Sequence, residues 1–426
     1  MFIAILFISF FTLLVIGVPV AFALGGASLI YVLTSGNVPD VVVLHRMVNG
    51  IDSFPLLAVP FFILAGNLMN SAGITNRIFG FARALVGWMR GGLGHVNVGA
   101  SVVFAGMSGA AVADAGGLGT IEVKAMRDAG YDRGFAVGVT AASSTIGPII
   151  PPSLPMVIYG VMANASIGQL FAAGFIPGLL MAVSLMAMIA WYARVRNYPR
   201  DAAFDLCVLW RALKSAFLSL MTPVIIVGGI LSGMVTPTEA AIAAVFWALI
   251  LGIFVYRTLT PTRLVRVSME TIETTASIML IVAGASIFAW ILTSNRVTED
   301  FAALILLISD NPIIILILLN IILLVAGCFL ETIAAITILV PVLLPVATSI
   351  GIDPVHFGVI MVLNLMIGLL TPPIGLVLYV LAKVTDIPFD VCMRATMPFL
   401  VPLVVVLLMI TFIPQLSMWL PTLVYR

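Results

Sequence analysis

Charge is what this sequence has least of. Only 9% of its residues are Asp, Glu, Lys or Arg, against roughly 25% in ordinary soluble domains. So few charges do not coat the surface of a soluble chain of 426 residues. The 19 Lys and Arg are balanced by 18 Asp and Glu, which leaves no basic face for nucleic acid. Cysteine is scarce as well. Cys207, Cys328 and Cys392 lie far apart with no CxxC spacing, which argues against a disulfide framework or a metal knuckle. Three scattered histidines, His45, His95 and His356, argue against a haem or zinc centre. No GxxxxGK[ST] loop occurs, so energy has to come from an ion gradient or a partner. What is present is apolar: 62% of the residues. The composition points to an all-α integral membrane protein.

Residues 1–20 carry no charge and lack the basic start and small-residue cleavage site of a signal peptide, so they are expected to be a retained membrane helix. Apolar runs of spanning character fall near 2–16, 18–36, 54–72, 135–160, 170–193, 216–232, 238–256, 270–292, 355–380 and 398–420. Two further apolar stretches do not read as simple spans. Residues 97–120 are crowded with Gly, Ala and Ser, and residues 313–345 hold a glutamate among aliphatics. Both are expected to be re-entrant hairpins that enter and leave on one side. With that assignment, all Lys and Arg except Arg46, Arg296 and Arg426 fall on one side. The positive-inside rule makes that side the cytoplasm and puts both termini outside.

The sequence also repeats. IGPIIPP at 146–152 matches IGLLTPP at 367–373. The same offset pairs Ala105-Gly106 with Ala326-Gly327, Gly130 with Gly351, Asp132 with Asp353, and Pro177 with Pro398. Each half then has five crossings and one hairpin. An odd number inverts the second half, and an inverted repeat is the sequence pointer to a secondary transporter. The expected division is scaffold 1–72, arm helix 75–90, and a unit over 91–193 with hairpin 97–120 and broken helix 135–160. The second half follows it: scaffold 210–292, arm 294–308, and a unit over 313–420 with hairpin 313–345 and broken helix 355–380. The arms link a fixed frame to a moving unit.

Pro151-Pro152 and Pro372-Pro373 remove amide donors within two spans and free carbonyls a turn earlier. Carbonyl and hydroxyl oxygens suit a hard cation such as Na⁺. One cation site is expected to join Gly106 and Ser108 to Ser144, Gly147 and carbonyls near Ile150. The other joins Gly327 and Thr332 to Gly368, Thr371 and the carbonyl near Ile374. Kinks alone occur in many membrane helices; it is their pairing with two hairpins that favours ion sites. Glu331 and Asp114 are intramembrane carboxylates and so functional candidates. Glu331 is read either as a group facing substrate or as a helix cap. Asp114 is read chiefly as a structural partner. Glu239, in Thr236-Pro237-Thr238-Glu239, is read as part of a helix start.

SSTIGPIIPPS at 143–153, GMSGAAVADAGGLG at 106–119, Asp128-Ala129-Gly130-Tyr131 and LLTPPIG at 369–375 together resemble the large membrane subunit of TRAP (tripartite ATP-independent periplasmic) transporters. The resemblance runs from about residue 2 to 420. It implies an elevator-type fold of the ion-transporter superfamily in the bacterial inner membrane, similar to divalent-anion/sodium symporters. It also implies a small four-helix membrane subunit, a periplasmic substrate-binding protein, and import of an organic acid anion with Na⁺. Carried over by residue, the cation sites fall at Gly327, Gly368, Thr371 and Ile374, and by symmetry around Gly106, Ser108, Gly147 and Ser153. Substrate contacts fall at Glu331, Ser108, Ala110, Ser153 and Thr332. In the sialic-acid branch the acid at the second tip is usually Asp, and a second Ser follows Ser108-Gly109. Glu331 and Ala110 here imply a smaller dicarboxylate, keto acid or sugar acid. The alternatives are a self-sufficient sodium/anion symporter and a membrane-embedded enzyme. The enzyme would need a cluster of catalytic groups that the sequence does not offer.

Overall fold

A computed structural model describes residues 2–36, 38–198, 200–201, 203–309 and 311–425, with only the backbone of Ser108, Leu306 and Ile308. Arg426, one of the three cations expected on the outer side, lies outside the described residues. The first half holds α1 (Phe2–Val15), α2 (Val20–Ser35), α3 (Val41–Ile51), α4 (Ala58–Ser71), α5 (Ile74–Val86), α6 (Gly92–Ser108), α7 (Ala111–Gly116), α8 (Leu118–Asp128), α9 (Arg133–Ser144), α10 (Leu154–Met162) and α11 (Ile167–Val195). The second holds α12 (Leu206–Leu231), α13 (Pro237–Ile250), α14 (Pro261–Ser294), α15 (Val297–Ile308), α16 (Pro312–Phe329), α17 (Thr332–Ser349), α18 (Pro354–Gly368), α19 (Leu376–Thr385), α20 (Phe389–Phe412) and α21 (Gln415–Val424). An isolated bridge between Arg90 and Arg200 is the one β-type pairing among the described residues. The chain is an all-α membrane protein: 8 helical stretches among the described residues are long and apolar enough to cross a bilayer.

Several boundaries differ from the sequence expectation. Helix α3 has no counterpart in the apolar runs, because it carries His45, Arg46 and Asn49 on a two-sided surface. Helix α14 begins at Pro261, well before residue 270, since Thr260 caps a charged first stretch that hydropathy alone does not count. The run 398–420 is two helices, α20 and α21, parted at Ile413 and Pro414. The returning arm of the first hairpin continues through α8 to Asp128 rather than ending at 120, with a bend at Gly116-Gly117. Thr236 and Glu239 form a reciprocal cap at the start of α13, as their spacing implied.

The repeat is visible in local chemistry. Helices α8 and α17 both end on a glycine with positive φ, +82° at Gly130 and +83° at Gly351. Each ending closes with the same paired bonds: Gly130 N to Arg127 O and Tyr131 N to Met126 O, then Gly351 N to Thr348 O and Ile352 N to Ala347 O. A residue with a Cβ is strained in that left-handed conformation, so the two turns require glycine. Two residues on, Asp132 and Asp353 cap the next helices, accepting from Phe135 N at 3.0 Å and Val355 N at 2.7 Å.

Packing then exchanges partners between the halves. Helix α2 of the first half lies on α14 of the second, while α13 of the second lies on α4 of the first. Helix α9 lies on α20 while α18 lies on α11. Beyond each break, α10 rests on the opposite hairpin arm α17, and α19 rests on α7 and α8. Neither half therefore buries its apolar faces alone, and each hairpin meets a segment of the other repeat.

Candidate functional site

The two segments that interrupt helix lie between α9 and α10 and between α18 and α19. Pro151-Pro152 and Pro372-Pro373 sit in them, both with cis peptide bonds. In the first, the carbonyls of Gly147, Ile149, Ile150, Pro151 and Pro152 accept no backbone hydrogen bond among the described residues. In the second, those of Leu370 to Ile374 accept none. Carbonyls freed inside a membrane protein call for a cation, water or another donor.

The second half brings Gly327, Gly368 and Thr371 together. Gly327 of α16 and Gly368 of α18 touch backbone to backbone: a Cβ added to Gly368 would lie 2.6 Å from Gly327 Cα. Thr371 donates to Gly368 O at 2.8 Å, and its Oγ1 lies 2.9 Å from Cys328 Sγ. Thr332 begins α17, is buried, and its hydroxyl oxygen has no hydrogen-bond partner among the described residues. Ile374 lies in the interrupted segment with its side chain 39% exposed. Glu331 is the N-cap of α17. Its Oε2 accepts from Ile333 N at 3.0 Å and Ala334 N at 3.2 Å. Its Oε1 makes no bond among the described residues.

The first half is arranged differently. Gly106 does not face Gly147. A Cβ on Gly106 would meet Pro223 of α12 at 2.5 Å, because α6 is shared with α5 and α12 whereas α16 rests on α18. The tip contact is made by Gly109 instead: its carbonyl accepts from Leu154 N at 3.4 Å, and a Cβ on it would lie 2.5 Å from Pro152 O. Ser144 donates to Ala141 O at 2.8 Å. An added Cβ on Gly147 would touch only Ser144 O, at 3.4 Å. Ser153 is buried and committed twice, accepting from Met156 N at 3.2 Å and donating to Pro148 O. Ser108 ends α6, and its side chain lies outside the described residues. Ala110 follows at the tip.

Both tips open on one cavity of about 630 Å³. Its walls come from tip one (Ala110–Val112), tip two (Glu331–Ala334), both interrupted helices (Pro148 and Leu154; Leu369 and Leu376), the start of α2, and α14 at Thr274 and Ser277. Sequence reasoning missed the α14 face, whose hydroxyls give no signal inside a long apolar helix.

It also missed a pair of buried amide clasps. In the first half, Asn97 of α6 donates to Thr140 at 2.6 Å and accepts from Ser143 at 2.6 Å. In the second, Asn364 of α18 donates to Asn320 Oδ1 at 2.7 Å and to its carbonyl at 3.1 Å. Ser143 and Asn364 stand at the repeat offset, so an asparagine on each hairpin arm facing that pair was a findable signal. Each clasp ties a hairpin arm to the helix that leads into the break. Asn364→Ala should leave the Asn320 amide oxygen without its donor and cost about 1–3 kcal/mol. Thermal unfolding of the purified protein measures this, and an unchanged midpoint would remove the clasp from the account.

A cavity walled by both tips and both breaks, in a two-repeat helical membrane protein, defines a transporter permease. The chain belongs to the family described as Tripartite ATP-independent periplasmic transporter, DctM component, which matches residues 7–416. It is 51% identical to the sialic acid TRAP transporter large permease protein of Vibrio cholerae, over 96% of each chain. It is 39% identical to the C4-dicarboxylate TRAP transporter large permease protein of Pseudomonas aeruginosa, over 93% of each. In fold it is similar to the YdaH transporter of Alcanivorax borkumensis, with a TM-score of 0.58 and 13% identity over 89% of this chain and 87% of that one.

Proposed function

We propose that this chain is the sodium-coupled permease of a three-part importer, which takes an organic acid anion from a periplasmic binding protein beside a small four-helix membrane subunit. The observation that carries this reading is the cavity lining. Among the described residues it includes no Lys or Arg. A carboxylate entering mostly apolar walls needs a counter-charge. Bound Na⁺ beside the tips supplies one, and so do tip N–H groups. The oxygen set fits a weakly held monovalent cation: carbonyls of 370–374, the Thr371 and Thr332 hydroxyls, and the bare carbonyls of the first break. A Ca²⁺ site would call for several carboxylates. The Gly327–Gly368 approach brings hairpin backbone to the second of these segments.

The cavity lies between the hairpin units and the α2–α14 frame, which supports an elevator motion of one against the other. The Lys and Arg asymmetry supports a cytoplasmic position for the loops near Asp128 and Arg263, with those near Asn164 and Asp353 periplasmic, in the bacterial inner membrane. Single-cysteine labels at the first two should react only from inside, and at the last two from outside. Labelling of the Asp128 and Asp353 loops from one side would overturn the inverted repeat.

Sialic acid and C4-dicarboxylates, in the names of the two relatives, are both carboxylates, and the cavity volume lies within the range of small-ligand pockets. Glu331 and Ala110 favour a smaller acid, while the similarity to the Vibrio protein favours sialic acid; a carboxylate binding panel with the cognate periplasmic protein decides between them. The test of coupling is uptake in proteoliposomes holding both membrane subunits, with the binding protein outside. Uptake should follow an imposed Na⁺ gradient without ATP. Uptake that follows a proton gradient and ignores Na⁺ would overturn the coupling. Robust uptake by this chain alone would favour a self-sufficient symporter.

A further inference from the structure

Away from the cavity, the returning arm of the first hairpin holds two carboxyl groups that the transport reading does not use. Asp114 of α7 and Glu122 of α8 are each 1% exposed. All four of their carboxyl oxygens lack a hydrogen-bond partner among the described residues. Helices α7 and α8 pack on each other across the bend at Gly116-Gly117, which keeps the two groups in one arm. A third orphan comes from another element. Ser101 of α6 is fully buried, its hydroxyl has no hydrogen-bond partner among the described residues, and α6 packs on both α7 and α8. Buried polar groups are nearly always satisfied, and clustered exceptions mark an unseen ion, water or proton.

No cation of the protein neutralises the pair: neither acid is in an ion pair among the described residues. The helices packed against α7 and α8 are α6, α9 and α19. Helix α6 offers His95, which lines a separate crevice with Arg90 and Arg194. Helix α9 offers Arg133 at its first residue, which lines the crevice at the cytoplasmic end with Lys124, Arg127, Asp128 and Asp386. Helix α19 offers Tyr379 and Lys383, both exposed. Two neighbouring carboxylates stripped of water repel each other and lose their hydration, so both do not stay charged without a bound cation. Two carboxyls and one hydroxyl fall short of the six to eight or so oxygens a hard ion such as Ca²⁺ gathers. A proton needs no such shell: it neutralises a buried carboxyl where it stands.

We propose that Asp114 and Glu122, with Ser101 as their hydroxyl partner, form a proton-binding site inside the first hairpin, separate from the substrate cavity. The bound proton lets the arm exist in the membrane with less net charge. Its loss at alkaline pH places an uncompensated anion in the arm that packs on α9 and α19. The inference stands whether or not Na⁺ drives the substrate, so its test is independent of that reading.

The experiment is infrared spectroscopy of the purified protein in a Glu331→Gln background, which removes the carboxyl at the other tip. A protonated-carboxyl stretch should be present near neutral pH, disappear as pH is raised, and be missing from the Asp114→Asn/Glu122→Gln double variant. Absence of the band from the parent protein, or its appearance only when Na⁺ is withdrawn, would overturn the proposal, the latter by making a metal ion the occupant. If the double variant does not fold, the pH titration of the parent band still decides. In uptake by the otherwise unmodified complex, the rate should fall about tenfold per pH unit above the midpoint, as the protonated fraction does. That decline should be absent from the double variant, and an unchanged alkaline decline there would also overturn the site.

Discussion

Replacing Gly368 by alanine should cut uptake at least tenfold. The added Cβ would stand 2.6 Å from Gly327 Cα and 2.9 Å from Gly327 O. Both are backbone atoms, held by α16 on α18, so neither yields as a flexible side chain would. Overpacking of this kind costs about 1–3 kcal/mol. Here the strain falls on the contact that brings hairpin 2 to the freed carbonyls after Thr371, so a loss of ten- to a hundredfold or so in rate is expected, chiefly as a raised Na⁺ requirement. Gly327→Ala should be milder, because its Cβ meets Gly368 Cα at 3.1 Å and Leu365 Cα at 3.3 Å. Gly228→Ala, in α12 with open space around it, should behave as the parent. Initial rates against Na⁺ concentration in proteoliposomes give the order. Normal uptake by the Gly368 variant would separate the close approach from ion binding.

The same glycine shows what sequence makes legible. Gly368 and Gly147 both precede a Pro-Pro pair at one offset, and the breaks fall where those prolines stand, because proline lacks the amide a helix needs. Gly130 and Gly351 with Asp132 and Asp353 were readable for a similar reason: a left-handed turn followed by a carboxylate cap has a residue-level signature. Gly106 was not readable in this way. Its mate Gly327 faces a glycine, but Gly106 faces Pro223, and nothing within the repeat says that α12 lies over one hairpin and not the other. Ser153 keeps its place beside the break, but its hydroxyl closes the loop on Pro148. The α14 wall of the cavity was likewise hidden. Thr274 and Ser277 are ordinary residues of a long helix until tertiary packing turns them toward the tips. The carboxyl of Glu122 lay past the hairpin limit drawn at residue 120, because α8 is too polar on one side to read as membrane-buried.

Glu331 carries two roles in one side chain, and they separate by substitution. Oε2 caps α17 through two amides, while the residue also lines the cavity. Loss of the cap costs about 0.5–2 kcal/mol, enough to loosen the tip without dismantling the protein. Glu331→Ser retains a capping oxygen and removes the second carboxylate oxygen. If the carboxylate also receives substrate hydroxyls, losing a charge-assisted bond costs about 1.5–3 kcal/mol. Glu331→Ser should then fold and assemble normally yet lose about tenfold or more in apparent substrate affinity. Glu331→Gln keeps size and an accepting oxygen, so it should cap well and lose affinity for want of charge. Glu331→Ala loses both functions and should show no measurable uptake, although complex recovery from the membrane stays normal. Melting of each purified variant reads the cap, and uptake against substrate concentration reads the contact. Parent-like uptake by the serine variant would reduce Glu331 to a helix cap. Failure of the alanine variant to assemble would make its role structural, since the tip would then be holding the hairpin together rather than holding the anion.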